Sequence, residues 1–359
     1  MGFKEEPRGK AMKKVLFATT AFAGLAIAGV ASAQGIALFG DARLGLGYNV
    51  QNDGTTWYGD DGDVKDDMRA VSRVRFGVNM TGETDSGITF GATIRADNSA
   101  GGQGGTDGQR AGEVFVSGSW GTLTFGDTNA ADEQWVGDVP GDLSLTSLGE
   151  RDETAFISNG GQFGNDYAGS FAANPAARPT VRYDFDIAGF GISASSNRDL
   201  DDITVGTGYS ADFGGGTWAL GIGYNNFTGF TSTTGVEYQD GTQWSAGVKG
   251  EYENFSFGVT YVTADMNGGS NAKFDSLLVG GEFGFDAFTL GAYYGNILKA
   301  SGQLPNEGGT VTDLGDVDGN DTFAVTGQYD LGGGASINGG VGQDYNGDTV
   351  GDFGIKMAF

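Results

Sequence analysis

The chain has 359 residues, 38% of them hydrophobic, and carries 46 acidic against 20 basic side chains for a net charge of −26. So acidic a chain is disfavoured as a binder of nucleic acid or of anionic lipid. Cysteine and histidine are both absent, which removes disulfides, thiol nucleophiles, imidazole bases and soft-metal sites and leaves an enzyme only carboxylate or Ser/Lys chemistry.

Residues 1–11 are polar and stand upstream of a better start, so they read as a non-native or mis-annotated beginning. Residues 12–33 read as a signal peptide: Lys13 and Lys14, the apolar run VLFATTAFAGLAIAGV, then Ala31-Ser32-Ala33 before Gln34. No second apolar run of about 18 residues follows, which excludes a helical membrane protein. Residues 34–359 are expected to form one domain.

From Gln34 onward, apolar and polar residues alternate in stretches of about ten, split by Gly, Asp and Asn turns. The first stretch sets Leu44, Leu46 and Tyr48 against Asp41, Arg43, Gly45, Gly47 and Asn49. The next two set Val74, Phe76, Val78 and Met80 against Arg73, Arg75, Gly77 and Asn79, and Ile88, Phe90, Ala92 and Ile94 against Thr89, Gly91, Thr93, Arg95 and Asp97. The same period predicts sixteen strands: 36–49, 69–82, 86–97, 111–120, 121–127, 179–187, 189–198, 203–211, 216–226, 243–252, 254–265, 273–284, 286–298, 321–331, 334–344 and 349–359; the weak period of the 111–127 pair and the reading of 231–241 as loop leave fourteen or eighteen as the alternatives. Tight turns alternate with long loops, as expected when one rim faces the periplasm and the other the exterior. An even count puts both termini at the periplasmic rim. The fold class is therefore all-β, a sixteen-stranded antiparallel transmembrane barrel. Tyr48, Trp120, Trp218, Tyr224, Tyr261 and Tyr294 fall near strand ends on the apolar parity, where aromatic girdles meet headgroups.

The segment 127–178 lacks sustained strand periodicity and is far longer than a hairpin connection. Its first half holds Asp127, Asp132, Glu133, Asp138, Asp142, Glu150, Asp152 and Glu153. Arg43, Arg73, Arg75 and Arg95 share the polar parity of three consecutive strands, so a barrel gathers them on one inner wall. Four guanidiniums so placed need facing anions, and an acidic loop folded into the lumen supplies them. The expected result is a transverse field across a constriction. Arg182 and Lys356 share the inward parity.

Three Asp, Asn and Gly segments, 61–67, 316–322 and 344–352, offer oxygen ligands at alternate positions, with Asp316, Asp318 and Asp321 the calcium candidates. None has the complete EF-hand spacing. There is no G-x-S-x-G elbow, phosphate loop or dinucleotide fingerprint, so no enzyme is expected. The glycines of GFGIS and GTGYS are read as permitting close packing or barrel curvature.

The GDARLGLGYN first strand, the SRVRFGVNMTGETDSGITFGATIRA hairpin, the WGTLTFGD run before the acidic loop, and the YDLGGGASINGGV and DFGIKMAF ending resemble the alphaproteobacterial, Rhodobacter-type general diffusion porins over nearly the whole mature chain. The resemblance implies a homotrimer of sixteen-stranded barrels in the outer membrane, among lipid and lipopolysaccharide. It also implies a third exterior loop folded inward as an eyelet. Placed here, the basic side is Arg43, Arg73, Arg75 and Arg95, and the acidic side Asp127, Asp132, Glu133, Asp138 and Asp142. Calcium at the acidic side is implied as well. Where enterobacterial relatives carry a PEFGG-like motif, this chain has Asp138-Val139-Pro140-Gly141.

The expected function is passive passage of ions and small hydrophilic solutes through a wet channel, with weak cation preference and no cofactor or nucleic acid. The alternatives are a solute-specific outer-membrane channel or a secreted, calcium-dependent β-rich adhesin.

Overall fold

A computed structural model describes residues 35–50, 66–97, 110–149, 154, 156, 179–228, 230–231, 237–238, 240–266, 273–301, 303–305, 311–313, 320–344 and 347–359. Residues 1–34, which include the expected signal peptide, lie outside the described residues, as does most of 150–178.

Among the described residues, sixteen antiparallel strands close into one barrel. In chain order they are β1 (Gly35–Tyr48), β2 (Met68–Glu83), β3 (Thr89–Asp97), β4 (Arg110–Gly118), β5 (Gly121–Gly126), β6 (Pro179–Ile187), β7 (Phe190–Asn197) and β8 (Ile203–Phe213). There follow β9 (Gly216–Phe227), β10 (Gly241–Tyr252), β11 (Phe255–Met266), β12 (Lys273–Phe285), β13 (Phe288–Ser301), β14 (Asn320–Gly332), β15 (Ala335–Gln343) and β16 (Thr349–Ala358). Each strand pairs with its neighbours in sequence, and β16 returns to β1 with Lys356 opposite Arg43. The backbone N–H of Phe359 donates to the Gly40 carbonyl at 2.9 Å, which ties the last residue to the first strand.

Two short pairs lie outside the barrel, Phe230–Thr231 with Glu237–Tyr238 and Gln303–Pro305 with Val311–Asp313. Both fall in segments expected to be loop. They are too short to carry a period readable in the sequence.

The alternation that predicts the strands also sorts their faces. On β9, Trp218, Leu220 and Ile222 are exposed, whereas Gly221, Gly223 and Asn225 are buried. In a closed barrel the exposed apolar series faces outward and its alternates face the interior. Short turns join β2–β3, β4–β5, β6–β7, β8–β9, β10–β11, β12–β13 and β14–β15. Six of these seven turns have two residues between the strands, whereas every connection at the other rim has five or more, so the two rims differ. The β6–β7 turn has positive φ at both central residues, Ala188 (53°) and Gly189 (82°), the form that matches strand twist. Aromatics pair near the rims: Trp218 meets Phe257 edge-on at 5.3 Å, and Tyr224 lies 4.7 Å from Trp244.

Leu220 and Ile222 stand between Trp218 and Tyr224 on the outer face, each 56% exposed. Ile222→Arg is expected to cost ~2–4 kcal/mol, the penalty for a cation on the lipid face near the bilayer midplane. Denaturant titration of folding into vesicles measures it, and a cost near zero would show that this face does not meet lipid.

Candidate functional site

The interior of the barrel is shaped by the chain that leaves β5. Gly126 turns it with φ 118°, and a Cβ there would lie 2.3 Å from the Gly112 carbonyl oxygen. An α-helix follows, α1 (Ala131–Val136), and further on a single 3-10 turn at Ser147–Gly149. Six residues do not form a stable helix alone, and Ala130 supplies no side-chain cap. The wall supplies one, because the Ala131 N–H donates to Ser195 Oγ on β7 at 2.9 Å.

From α1 onward, polar side chains from successive parts of the wall hold the segment. Gln243 of β10 donates to Asp132 Oδ2 at 2.6 Å, and Thr154 Oγ1 lies 2.9 Å from Thr260 Oγ1 of β11. Glu282 of β12 accepts from the Gly141 N–H at 3.1 Å. Thr326 of β14 accepts from the Leu143 N–H at 3.0 Å and donates to the Gly141 carbonyl at 2.6 Å. Asn338 of β15 donates to the Leu143 carbonyl at 2.8 Å. Asp352 of β16 takes three donors, the N–H groups of Leu145 (2.9 Å) and Thr146 (2.6 Å) and the Thr146 hydroxyl (2.7 Å). Arg43 of β1 closes the series by donating to the Leu145 carbonyl at 3.0 Å. The belt runs from β7 round to β1.

Apolar contacts sit within the same belt. Val136 and Phe156 cluster with Val262, and Val139 and Leu148 cluster with Leu278, Tyr293, Ala324 and Val350. Burying a side chain such as Leu148 contributes about 1.5–3 kcal/mol to holding the segment. The Asp138-Val139-Pro140-Gly141 stretch runs over bare backbone: a Cβ at Gly280 would meet the Pro140 oxygen at 1.9 Å. Gly141 has φ 135°, and a Cβ on it would fall 2.4 Å from the Ala292 oxygen, so no other residue fits there without a shift.

Across the interior, Arg43 stands opposite Arg73 and also opposite Lys356, so three cations occupy one row over three strands. Arg75 is opposite Asp41, and Arg95 is opposite Gly77. Like charges in one row repel, and carboxylates are interleaved with them. Arg73 bonds Asp41 at 3.0 Å, and Asp352 lies on the other side of Arg43. Burial separates the four arginines. Arg43 is 3% exposed beneath Leu145, whereas Arg73, Arg75 and Arg95 are half-buried.

The five acidic residues do not form one array. Asp132 and Glu133 are buried on α1, with Asp132 turned to Gln243 of the wall and Glu133 accepting from Asn129 Nδ2 at 2.8 Å. Asp138 accepts from the Thr154 N–H at 2.8 Å. Asp127 remains at the end of β5, its N–H donating to the Gly112 carbonyl at 3.0 Å. Asp142 lies in the field of Lys356, on the basic side. Burial pushes the Asp142 carboxyl up, against the opposing pull of Lys356 and of Ser144, whose N–H it accepts at 2.8 Å. Of the calcium candidates, Asp316 and Asp318 lie outside the described residues. Asp321 accepts from the Tyr294 hydroxyl at 2.8 Å and from Asn296 Nδ2. Among the described residues no group of three or more carboxylates is arranged to hold a metal ion.

The sequence reading missed the wall partners Ser193, Ser195, Gln243, Glu282, Thr326, Asn338 and Asp352. Their inward parity was readable, but nothing local says what an inward polar residue touches. It also missed Trp135, although the glycines it lies against, in GFGIS and GTGYS, were noted as allowing close packing.

A family model described as Gram-negative porin matches residues 18–349. A porin of Rhodobacter capsulatus is 29% identical over 348 residues, 90% of this chain and 100% of the relative. A solved porin structure matches with a TM-score of 0.63 at 22% identity, covering 90% of this chain and 100% of that one. A double-tryptophan variant of the Rh. blastica porin gives 0.57 at 20% identity over the same shares. Sixteen strands with an apolar outer face, an interior lined by polar side chains and a family match over nearly the whole length agree: the chain belongs to the Gram-negative porins, β-barrel channels of the outer membrane.

Proposed function

We propose that this porin is a general diffusion channel whose narrowest part is formed by the segment after Gly126 on one side and by Arg73, Arg75 and Arg95 on the other. The observation that carries the reading is the belt of contacts from Ser195 to Arg43. A segment held by side chains from so much of the wall is built as a fixed narrowing. Ions and small hydrophilic solutes pass down their gradients with no cofactor or covalent step. Selection follows from size and from the field between the half-buried guanidiniums and the acidic residues of the interior segment. The net charge of −26 favours weak cation preference overall.

The same reading includes a homotrimer seated in outer-membrane lipid and lipopolysaccharide, as the Rhodobacter-type resemblance implies. Calcium, if taken up, belongs to the acidic exterior loops and not to the arginine wall. Family membership disfavours the secreted adhesin.

Single-channel recording of the purified mature chain in a planar bilayer tests the proposal. Large ohmic steps, grouped in threes and insensitive to competition among small sugars, are expected. Saturable block by one solute class would instead make it a specific channel. A heat-modifiable band on a detergent gel establishes that the recorded protein is a folded barrel.

A further inference from the structure

The proposed narrowing depends on how far α1 stands from the wall; its backbone lies close over Gly206 and Gly221, where a Cβ would meet the Ala131 oxygen at 2.0 Å and the Trp135 oxygen at 2.1 Å, and the Trp135 side chain enters the wall itself. The ring of Trp135 lies in a recess floored by glycines of β7 and β8. A Cβ added at Gly191 would be 1.7 Å from Cη2 of the ring, one at Gly208 2.4 Å from Cε3, and one at Gly206 2.9 Å from Cδ1. No side chain larger than hydrogen at Gly191 or Gly208 is compatible with the ring at that depth.

The recess also orients the ring. Trp135 Nε1 donates to Ser193 Oγ at 2.9 Å, and that hydroxyl donates to Asp184 Oδ1 at 2.5 Å. Asp184 is held by Arg182 Nε at 2.9 Å, and Arg182 Nη1 donates to the Asn129 carbonyl at 2.9 Å. Asn129 precedes α1 and Trp135 lies in its last turn, so the wall grips the helix at both ends through one connected chain of hydrogen bonds.

We propose that Trp135 is the positioning residue that sets the width of the channel: the depth to which its ring enters the Gly191, Gly206 and Gly208 recess fixes where α1 stands in the lumen. The inference rests on the channel reading above. It has a signed consequence that a merely structural role lacks. Filling the floor of the recess drives α1 toward the lumen and narrows the channel. Removing the ring frees α1 and abolishes the effect of the filled floor.

The experiment is single-channel recording of Gly191→Ala, Trp135→Ala, Trp135→Phe and the Gly191→Ala/Trp135→Ala double variant, each first shown to be folded by heat-modifiable migration. Conductance follows the open area of the narrowing, so Gly191→Ala is expected to lower it relative to the parent. Trp135→Ala is expected to give a larger and noisier open current, and Trp135→Phe, which fills the recess but lacks the donor, to stay near the parent. The double variant is expected to behave as Trp135→Ala, because the two changes share one contact. Unchanged conductance in Gly191→Ala, or a decrease that persists without the tryptophan, overturns the proposal. A parent protein that conducts while its variants all match it sinks this inference alone. A folded parent that never conducts sinks the channel reading as well. If Gly191→Ala does not fold, the contrast between Trp135→Ala and Trp135→Phe decides.

Discussion

Replacing Asp352 by alanine is expected to detach the far half of the interior segment and raise the single-channel conductance. Its carboxylate accepts from two backbone N–H groups and one hydroxyl, all buried. Without it those donors lose their partner where no strand partner can substitute, at a cost on the order of 3 kcal/mol. The variant also takes one negative charge from beside Arg43, whose guanidinium is buried under the same Leu145. Removing one partner of a buried charge pair costs more than the pair contributes, because the other charge is left uncompensated. Asp352→Asn retains a carbonyl acceptor and should have an intermediate effect. The measurement is conductance together with limited proteolysis of the folded protein. Equal current and equal protection around Leu145 in the alanine variant would show that the belt does not hold the segment.

The second large effect concerns selectivity. Arg73→Gln with Arg75→Gln is expected to move the reversal potential in a salt gradient toward cations. These two guanidiniums are half-buried rather than covered, and each stands beside Asp41, one by a 3.0 Å ion pair and the other by strand register. Neutralising them removes two positive charges from beside Asp41 and leaves its carboxylate without the Arg73 ion pair. The shift should shrink at about 1 M salt, where screening acts within roughly 3 Å. A shift toward anions would show that these side chains do not face the conducting path. Arg43 is unsuitable for the same test. Its guanidinium is committed to the Leu145 carbonyl, so changing it alters geometry and charge together.

The barrel was legible because a strand with lipid on one face and water on the other imposes a two-residue period on every stretch. The first strand, expected at 36–49, runs Gly35–Tyr48, and even the six-residue Gly121–Gly126 strand falls within its expected range. The inward parity of the arginines was legible for the same reason, and the register sets Arg43 opposite Arg73. Parity does not encode burial. Nothing near Arg43 in sequence says that Leu145, 102 residues away, covers it. The acids of the interior segment were read as facing the arginines because charge alone was visible. Asp132 turns to Gln243 and Asp142 reaches the basic side because the path of that segment is set by contacts with strands from β6 round to β1 and by no period of its own. Its helix, uncapped by its own residues, takes shape only where Ser195 and the Trp135 recess receive it.

The first and last strands share more than an edge. Asp352 lies on the strand that closes the barrel and Arg43 on the strand it closes against; Asp352 accepts from Leu145 and Thr146, and Arg43 donates to the Leu145 carbonyl. That part of the interior seat does not exist until the final ten residues of the chain have zipped onto the first strand. Such contacts, more than 200 residues apart along the chain, are the slowest kind to form. The strands that seal the cylinder are thus the same ones that fasten this end of the interior segment, so the barrel seam and the seat of Leu145 and Thr146 stand or fall together.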